Sequence, residues 1–387
     1  MFLTWVRWGI LAAAILPALG YLLVIVAAFL FYRRQRAAAL DFTPPISVLK
    51  PVHGLEQDAY ENFASFCRQD YPQYEILFAV TDERDSATPV IRRIIADFPA
   101  RDIRLLVIPE KLGSNDKVNK LCGLARTAKY NLLVLSDADI WVGPGYLRAV
   151  AAPFRDAKVG AVTSMFTGIP VRALWPELEA INLSTDFMPA VMMARQMEGI
   201  HFALGATIGV RRECLEEMGG FEALVDEAAD DYELGRRTAL RGHRVELIDG
   251  TVKTWCCLDN LRDFFLQRLR WAIMARQART LGYVGYIFAQ GLPWTILAVL
   301  VAPTGLIAAA YLALYLVTRM GVVWTLGVWG LRDELLKRRW CLVPVWDAFA
   351  FVVWLISLLW SRVHWRGAEY RVAGGRLIPV EPRPEKA

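Results

Sequence analysis

Two carboxylates one residue apart, Asp137 and Asp139, close the stretch Asn131-Leu-Leu-Val-Leu-Ser-Asp137-Ala-Asp139-Ile-Trp141. Leu132 to Leu135 read as a strand buried on both faces. An unpaired buried carboxylate is costly, so acids at the end of such a strand need a use. One use is to hold a hard divalent cation beside a diphosphate, because such ions take carboxylate and phosphate oxygens. Another is an Asp turn leading into a helix, and the pair alone leaves both open. Other charged residues bear on the choice. Asp82 and Asp85 follow an earlier strand, Lys117 follows the next, and Asp230 with Asp231 opens a later helix. Singly they also fit turn acids, a solvated helix-start charge and, for Asp230 with Glu233, a capping box. Together they describe a sugar-nucleotide site. An Asp can accept the N3–H of uracil, and a Lys can neutralise phosphate oxygens as a point charge. Mg2+ or Mn2+ on Asp139 and Asp137 would stabilise a leaving diphosphate. A late carboxylate would take the proton from an acceptor hydroxyl.

These residues need a scaffold that brings strand ends together. Strands are expected at Ile46–Lys50, Glu75–Val80 and Arg104–Ile108, with helices over 56–68 and 86–97 and from Lys117 to about 128. Strands alternating with helices imply an α/β domain with a mostly parallel sheet. In open sheets of this kind ligands bind beyond the carboxyl ends of the strands. The later part is less regular. Val159–Ser164 reads as a strand, 173–197 as a Met- and Leu-rich helix, Phe202–Val210 as a run of small apolar residues, and 244–248 as a strand.

The composition is mixed. Of 387 residues, 55% are hydrophobic and 21% charged, and the mean hydropathy is +0.31. That is too apolar for an ordinary soluble enzyme and too charged for a chain wholly in a membrane. Trp8 to Tyr32 is long enough to span a bilayer. Arg33, Arg34 and Arg36 follow it and only Arg7 precedes it, which places the next domain in the cytoplasm by the positive-inside rule. The modest net charge of +5, with much of the Arg beside apolar segments, suits a membrane surface and not a nucleic acid. Residues 261–278 have the composition of a basic amphipathic helix in the membrane interface. Residues 286–330 provide about two crossings, broken near Pro303-Thr-Gly305. Residues 342–361 form a further apolar segment with Asp347 inside it. The six Cys lack a Cys-x-x-Cys spacing and the four His are scattered, so neither set suggests a zinc site.

The interfacial segment carries one more motif, Gln267-x-x-Arg270-Trp271. With it, Leu49-Lys50-Pro51 and Gly54, Asp70-Tyr71-Pro72, Gly113-Ser-Asn-Asp-Lys117-Val-Asn119, Asp137, Asp231-Tyr232 and the tail Trp365-Arg-Gly-Ala-Glu-Tyr370-Arg-Val-Ala-Gly-Gly375 form a set. From about residue 40 to 376 the chain resembles the ceramide glucosyltransferase family, membrane-bound UDP-sugar lipid glycosyltransferases of the family-2-like group. The resemblance implies a GT-A-type, Rossmann-like α/β domain with a mixed, mostly parallel sheet, flanked by transmembrane helices. It implies inverting transfer of glucose from UDP-glucose to the primary hydroxyl of ceramide at the cytosolic face. In the family pattern Asp82 or Asp85 contacts the uridine, and Asp137 and Asp139 serve metal and diphosphate. Asp231 is the general base, and Gln267, Arg270 and Trp271 close over diphosphate and acceptor.

Two positions depart from the animal pattern, which has Asp-Ser-Gly where this chain has Asp137-Ala138-Asp139, and Glu-Asp where it has Asp230-Asp231. Both changes keep the chemistry and open the choice of acceptor to hopanoids or other lipids. A processive polysaccharide synthase and a non-catalytic lipid-binding protein are the remaining alternatives. The expected organisation is a transmembrane anchor (1–36), a catalytic domain (37–260), an interfacial helix (261–285), a transmembrane region (286–361) and a tail (362–387). Met188, Met192, Met193, Met197 and the Phe202–Ile208 run read either as core or as a groove for lipid tails.

Overall fold

A computed structural model describes residues 1–35, 41–258, 260–365, 368–373 and 376–379. The chain divides into two compact units. One comprises Met1–Arg36, Pro170–Gly199 and Leu258–His364; the other comprises Ala37–Ile169, Ile200–Cys257 and Trp365–Ala387.

The second unit is built on an eight-stranded sheet of β1 (Ile46–Pro51), β2 (Tyr74–Val80), β3 (Asp102–Val107), β4 (Leu132–Ser136), β5 (Ile140–Val142), β6 (Val159–Pro170), β7 (Thr207–Arg211) and β8 (Arg244–Cys256). Its order is β3-β2-β1-β4-β7-β6-β8-β5. β1, β2 and β4 are buried along their whole length, as continuous apolar strands covered on both faces should be. β3, β2, β1 and β4 run parallel, with Val48 opposite both Ile76 and Val134. From β4 the sheet turns antiparallel: β7 pairs against both β4 and β6, and β5 against β8. The sheet is mixed, as the resemblance implies, and its parallel half coincides with the regular strand–helix alternation. The carboxyl ends of β1, β2 and β4 lie side by side, which brings Lys50, Thr81 and Asp137 to one edge. Helices Ala59–Cys67, Thr88–Asp97 and Asp116–Thr127 connect these strands. Pro89 opens the second helix, where its missing N–H costs nothing. The Asn115 side chain caps the third by accepting from Val118 N at 3.3 Å. Ala368–Ala373 of the C-terminal signature pairs antiparallel with Arg376–Pro379 just after it; Arg366, Gly367, Gly374 and Gly375 of that signature lie outside the described residues.

The first unit is helical. Among the described residues, Phe2–Arg34, Gly305–Gly330 and Glu334–Leu359 are long and apolar enough to cross a membrane. A fourth span arises if Thr280–Ala289 and Gly291–Val301, bent by 47°, count as one. The break expected near Pro303 separates Gly291–Val301 from Gly305–Val322, and Thr304 caps the second by accepting from Ile307 N at 3.3 Å. The helix expected over 173–197 is interrupted by a π-helical turn, Leu183–Phe187, and clusters with this unit. Met188 and Met192 on it are fully buried core, whereas Met197 is exposed. Leu178, Ile181, Phe264, Val323, Leu336, Val343 and Trp346 form a packed core. Asp347 is not left alone in its apolar segment: Arg319 grips it with Nε to Oδ2 at 2.9 Å and Nη2 to Oδ1 at 2.5 Å. A charge inside a spanning segment needs such a partner.

Candidate active site

Four of the charged residues singled out in the sequence converge in the second unit. Lys117 Nζ lies 2.8 Å from Asp137 Oδ1 and 3.6 Å from Asp230 Oδ2. Asp231 joins them across Gly205. A methyl group added at Gly205 would lie 2.9 Å from Asp231 Oδ2 and 3.8 Å from Asp137 Oδ2. The two carboxylates thus meet over a residue without a side chain.

Each residue is placed by its own element. Asp137 and Asp139 form the turn between β4 and β5, and Asp139 Oδ2 accepts from Thr254 Oγ1 on β8 at 2.6 Å. Lys117 stands in the first turn of Asp116–Thr127. The loop before it is folded on itself: Asn119 Oδ1 accepts from Leu112 N and Gly113 N, and Asn119 Nδ2 donates to Gly113 O. Gly113 sits so close to Val225 that an added methyl would fall 2.6 Å from its side chain. Asp230 and Asp231 open the helix Asp230–Leu240. Asn115 Nδ2 donates to Asp230 Oδ1 at 3.2 Å, and Asp231 Oδ1 accepts from Tyr232 N at 2.8 Å. The capping box that the spacing of Asp230 and Glu233 allows is not formed. Ala229 occupies the N-cap without a side-chain cap, and Glu233 turns instead to Arg236 at 2.8 Å and Arg237 at 3.2 Å. Gly235 lets this helix press onto the preceding loop, since a methyl there would come within 2.3 Å of the Phe202 and Ala203 backbone.

The electrostatics follow from crowding four carboxylates (Asp137, Asp139, Asp230 and Asp231) around two lysines (Lys50 and Lys117). Burial, then Asp230, pushes the Asp231 carboxyl up to about 6, although Lys117 and the Tyr232 N–H pull it down. Burial and then Asp137 also raise Asp139 above the ordinary carboxylate value. Burial works against the Lys117 charge, but Asp137, Asp230 and Asp231 outweigh it and hold its pKa above the usual value. Negative charge is in excess here, and a cation would relieve it. Among the described residues no three His, Cys, Asp or Glu side chains converge to hold a metal by themselves. The turn at Asp137 and Asp139 does fit an ion that takes two protein carboxylates and completes its shell with phosphate and water oxygens.

The two early acids separate. Asp85 is occupied by the backbone, accepting from Gly54 N at 3.1 and 2.9 Å and from Ala87 N at 2.9 Å. Gly54 takes φ +73° in this turn, a conformation that favours glycine. Asp82 is exposed, and its Oδ1 accepts from Arg84 N at 2.8 Å. Gln267, Arg270 and Trp271 lie half-buried on the helix Leu261–Ala278 of the other unit. There Arg268, between them in sequence, donates to Gln267 Oε1 at 2.6 Å, stacks 4.0 Å from the Trp271 ring and pairs with Glu179 at 2.7 Å in a buried contact. The helix expected to lie at the interface on its basic face therefore buries one of its arginines.

Three contributors carried no assigned role in the sequence reading. Thr254 and Gly205 leave no local signal. Lys50 does: a lysine inside the otherwise apolar strand Ile46–Pro51 breaks the pattern of a doubly covered strand. It is fully buried, and its Nζ donates to Asp137 O at 2.6 Å. Burial pulls it down to about 7, while Asp139 and Asp137 act to raise it.

The chain as a whole is similar to several known proteins. Ceramide glucosyltransferase 1 of Caenorhabditis elegans is 28% identical over 235 residues, 60% of this chain and 50% of that protein. Ceramide glucosyltransferase of Gibberella zeae is 31% identical over 133 residues, 32% and 25% of the two chains. The chain spans about half the length of the Caenorhabditis elegans relatives it matches, and less of the fungal one. Among solved structures, a mannosyltransferase from Pyrobaculum calidifontis in complex with GDP-Man and Mn2+ aligns with a TM-score of 0.49 at 20% identity, covering 89% of this chain and 99% of that one. The family model of glycosyl transferase family 21 matches residues 10–378. That match covers nearly the whole chain, so the protein belongs to glycosyl transferase family 21, with helices among the described residues that are long and apolar enough to cross a membrane.

Proposed function

We propose that the protein transfers glucose from UDP-glucose to the hydroxyl of a membrane lipid, ceramide first, with inversion at the sugar's anomeric carbon. The observation that carries this reading is the meeting of Asp137 and Asp231 over Gly205, with Lys117 bridging Asp137 and Asp230. Asp231 is the general base. Its raised pKa matches a group that must hold a proton briefly and give it up near neutrality. It takes the proton from the lipid hydroxyl as that oxygen attacks the anomeric carbon from the side opposite the leaving group. The bond from that carbon to the diphosphate oxygen breaks, and UDP departs with the electron pair. Lys117, protonated at any physiological pH, offers fixed positive charge to the diphosphate. Asp137 and Asp139 would hold Mg2+ or Mn2+, which when bound supplies charge neutralisation of that leaving group. Asp82 accepts from the uracil N3–H, and Asp85 shapes the turn beside it. Gln267, Arg270 and Trp271 serve diphosphate and acceptor, as in the family pattern.

The names of the relatives and the apolar helices support a lipid acceptor. Arg33, Arg34 and Arg36 after the first apolar segment support a cytoplasmic catalytic domain, residues 37–260. The test is an assay of purified protein with radiolabelled UDP-glucose, UDP-N-acetylglucosamine and UDP-glucuronate against ceramide and hopanoid acceptors. Labelled ceramide with UDP-glucose is expected. Label on hopanoid alone moves the acceptor. Polymer made without lipid makes it a polysaccharide synthase, and no UDP release with any pair makes it a non-catalytic lipid-binding protein.

A further inference from the structure

We infer that Lys50 is a positioning residue for the nucleotide: it props the Asp137-Ala138-Asp139 turn from beneath and ties it to the turn held by Asp85. The inference rests on the sugar-nucleotide reading of that site.

Lys50 is the penultimate residue of β1, between the parallel strands β2 and β4. Its side chain is wholly buried, and the ammonium lies 3.9 Å from the centroid of Phe66 and 6.0 Å from that of Phe63. Its hydrogen bond goes to a main-chain oxygen, that of Asp137, at 2.6 Å. An ammonium taken out of water loses much hydration, so a sequence keeps one only where it is compensated. A methionine would fill the same slot without that cost. What Lys50 adds over methionine is a bond to the backbone of one residue and a positive charge behind two acids. The bond fixes where the carbonyl of Asp137 points, and so how the carboxylates of Asp137 and Asp139 are presented.

The same strand end continues to the other corner. Val52 N donates to Ala79 O at 2.8 Å, and Gly54 N donates to both oxygens of Asp85. Residues 50–54 thus span from the turn that would hold the diphosphate to the turn that would hold the base. Pro51 between them has a fixed φ and no N–H to lose. One short rigid segment sets the separation of the two ends of the nucleotide.

The experiment compares Lys50→Met and Lys50→Arg with the parent, in the full chain purified in detergent. UDP binding is measured by calorimetry with Mn2+ present, and KM is measured separately for UDP-glucose and for the lipid. Lys50→Met is expected to weaken UDP binding and raise the KM for UDP-glucose at least tenfold, with the lipid KM changed less than twofold. A folded Lys50→Met protein whose UDP affinity and donor KM stay within twofold of the parent overturns the inference. So does an equal loss on both substrates, which marks a merely structural role. If Lys50→Met gives no cooperative melt, Lys50→Arg decides. The longer guanidinium displaces the turn, so a donor KM raised threefold or more at constant lipid KM supports the inference, and an unchanged donor KM overturns it. A parent that binds UDP but transfers to no lipid overturns the proposed reaction alone, because UDP affinity still ranks the variants. A parent that binds no UDP overturns both.

Discussion

The candidate site of the sheet unit and the core of the helical unit handle buried charge differently. In the helical unit Arg319 pairs with Asp347 and Arg268 with Glu179 at 2.7 Å in buried contacts, Asp186 and Asp333 accept from the hydroxyls of Tyr286 and Ser184, and Arg339–Glu177 at 3.0 Å and Arg279–Glu198 at 2.6 Å lie nearer the surface. At the sheet unit's candidate site four carboxylates share two lysines, and two of the acids are pushed upward in pKa, first by burial and then by a neighbouring carboxylate. Where charge only holds helices together, an unmatched ion is a pure loss and is closed off. Where a ligand is to be bound, the imbalance is left standing, at a cost in stability that the ligand repays. At the candidate site the acids outnumber the bases around them, which a single braced pair such as Arg268–Glu179 avoids.

The comparison can be broken most sharply at Asp231. Asp231→Asn should lower turnover by about 10²–10⁴-fold, the usual worth of a general base, while UDP affinity by calorimetry stays within a few-fold. Retained turnover would move the base elsewhere. Removing divalent cations comes next: chelator should stop transfer, and added Mn2+ or Mg2+ should restore it, read as UDP release. Full activity in chelator would mean that the excess charge serves something else. In the helical unit, Arg319→Leu strands Asp347 and should cost about 3–5 kcal/mol, read as a lowered Tm in detergent. Adding Asp347→Leu should recover most of that loss. If the double variant is no better than the single one, the pair is more than a brace.

Smaller effects sharpen the picture. Gly205→Ala should cut turnover roughly tenfold without lowering Tm, because its methyl would crowd Asp231 Oδ2 and displace the carboxylate. The pH profile tests Asp231 without mutation. A base with a pKa of about 6 should make turnover fall tenfold per pH unit below 6 and level off above it. The sign for stability runs the other way. A carboxyl whose folded pKa exceeds its ordinary value binds its proton more tightly in the folded state. Its contribution to stability therefore grows as pH falls from about 6 towards its unfolded value. Activity lost with an unchanged or higher Tm in that window identifies Asp231; activity and Tm falling together point to general acid unfolding.

How much of this was legible in the sequence depended on how local its cause is. Strand Leu132–Ser136 and its terminal acids were plain because a run of apolar residues ending in charge has few readings. The helix boundaries at Asp116 and Asp230 were close because each starts beside polar residues, though the capping box that the spacing of Asp230 and Glu233 offers does not form. Glu233 had a better partner in the arginines one turn on, and sequence spacing shows the offer without the competition. Where the sheet turns antiparallel was not visible, since pairing partners far apart in the chain, such as Thr163 with Ile208 and Ile140 with Thr254, leave no periodicity. Gly205 lay unnoticed in an apolar run because its importance is a missing side chain opposite two acids from other parts of the chain. Lys50 was in view within Leu49-Lys50-Pro51, yet only the fold puts its ammonium beneath Asp137.

The close approach at Gly235 has a consequence for how variants of this protein will be interpreted. With no room for even a methyl group against the Phe202 and Ala203 backbone, the helix bearing Asp230 and Asp231 cannot slide independently of the loop that carries Gly205. The two behave as a hinge plate and its pin. A substitution that lifts them apart would silence the enzyme with every carboxylate still present and still ionisable. An inactive variant at such a position would look like the loss of a catalytic group, although the lesion is one of clearance.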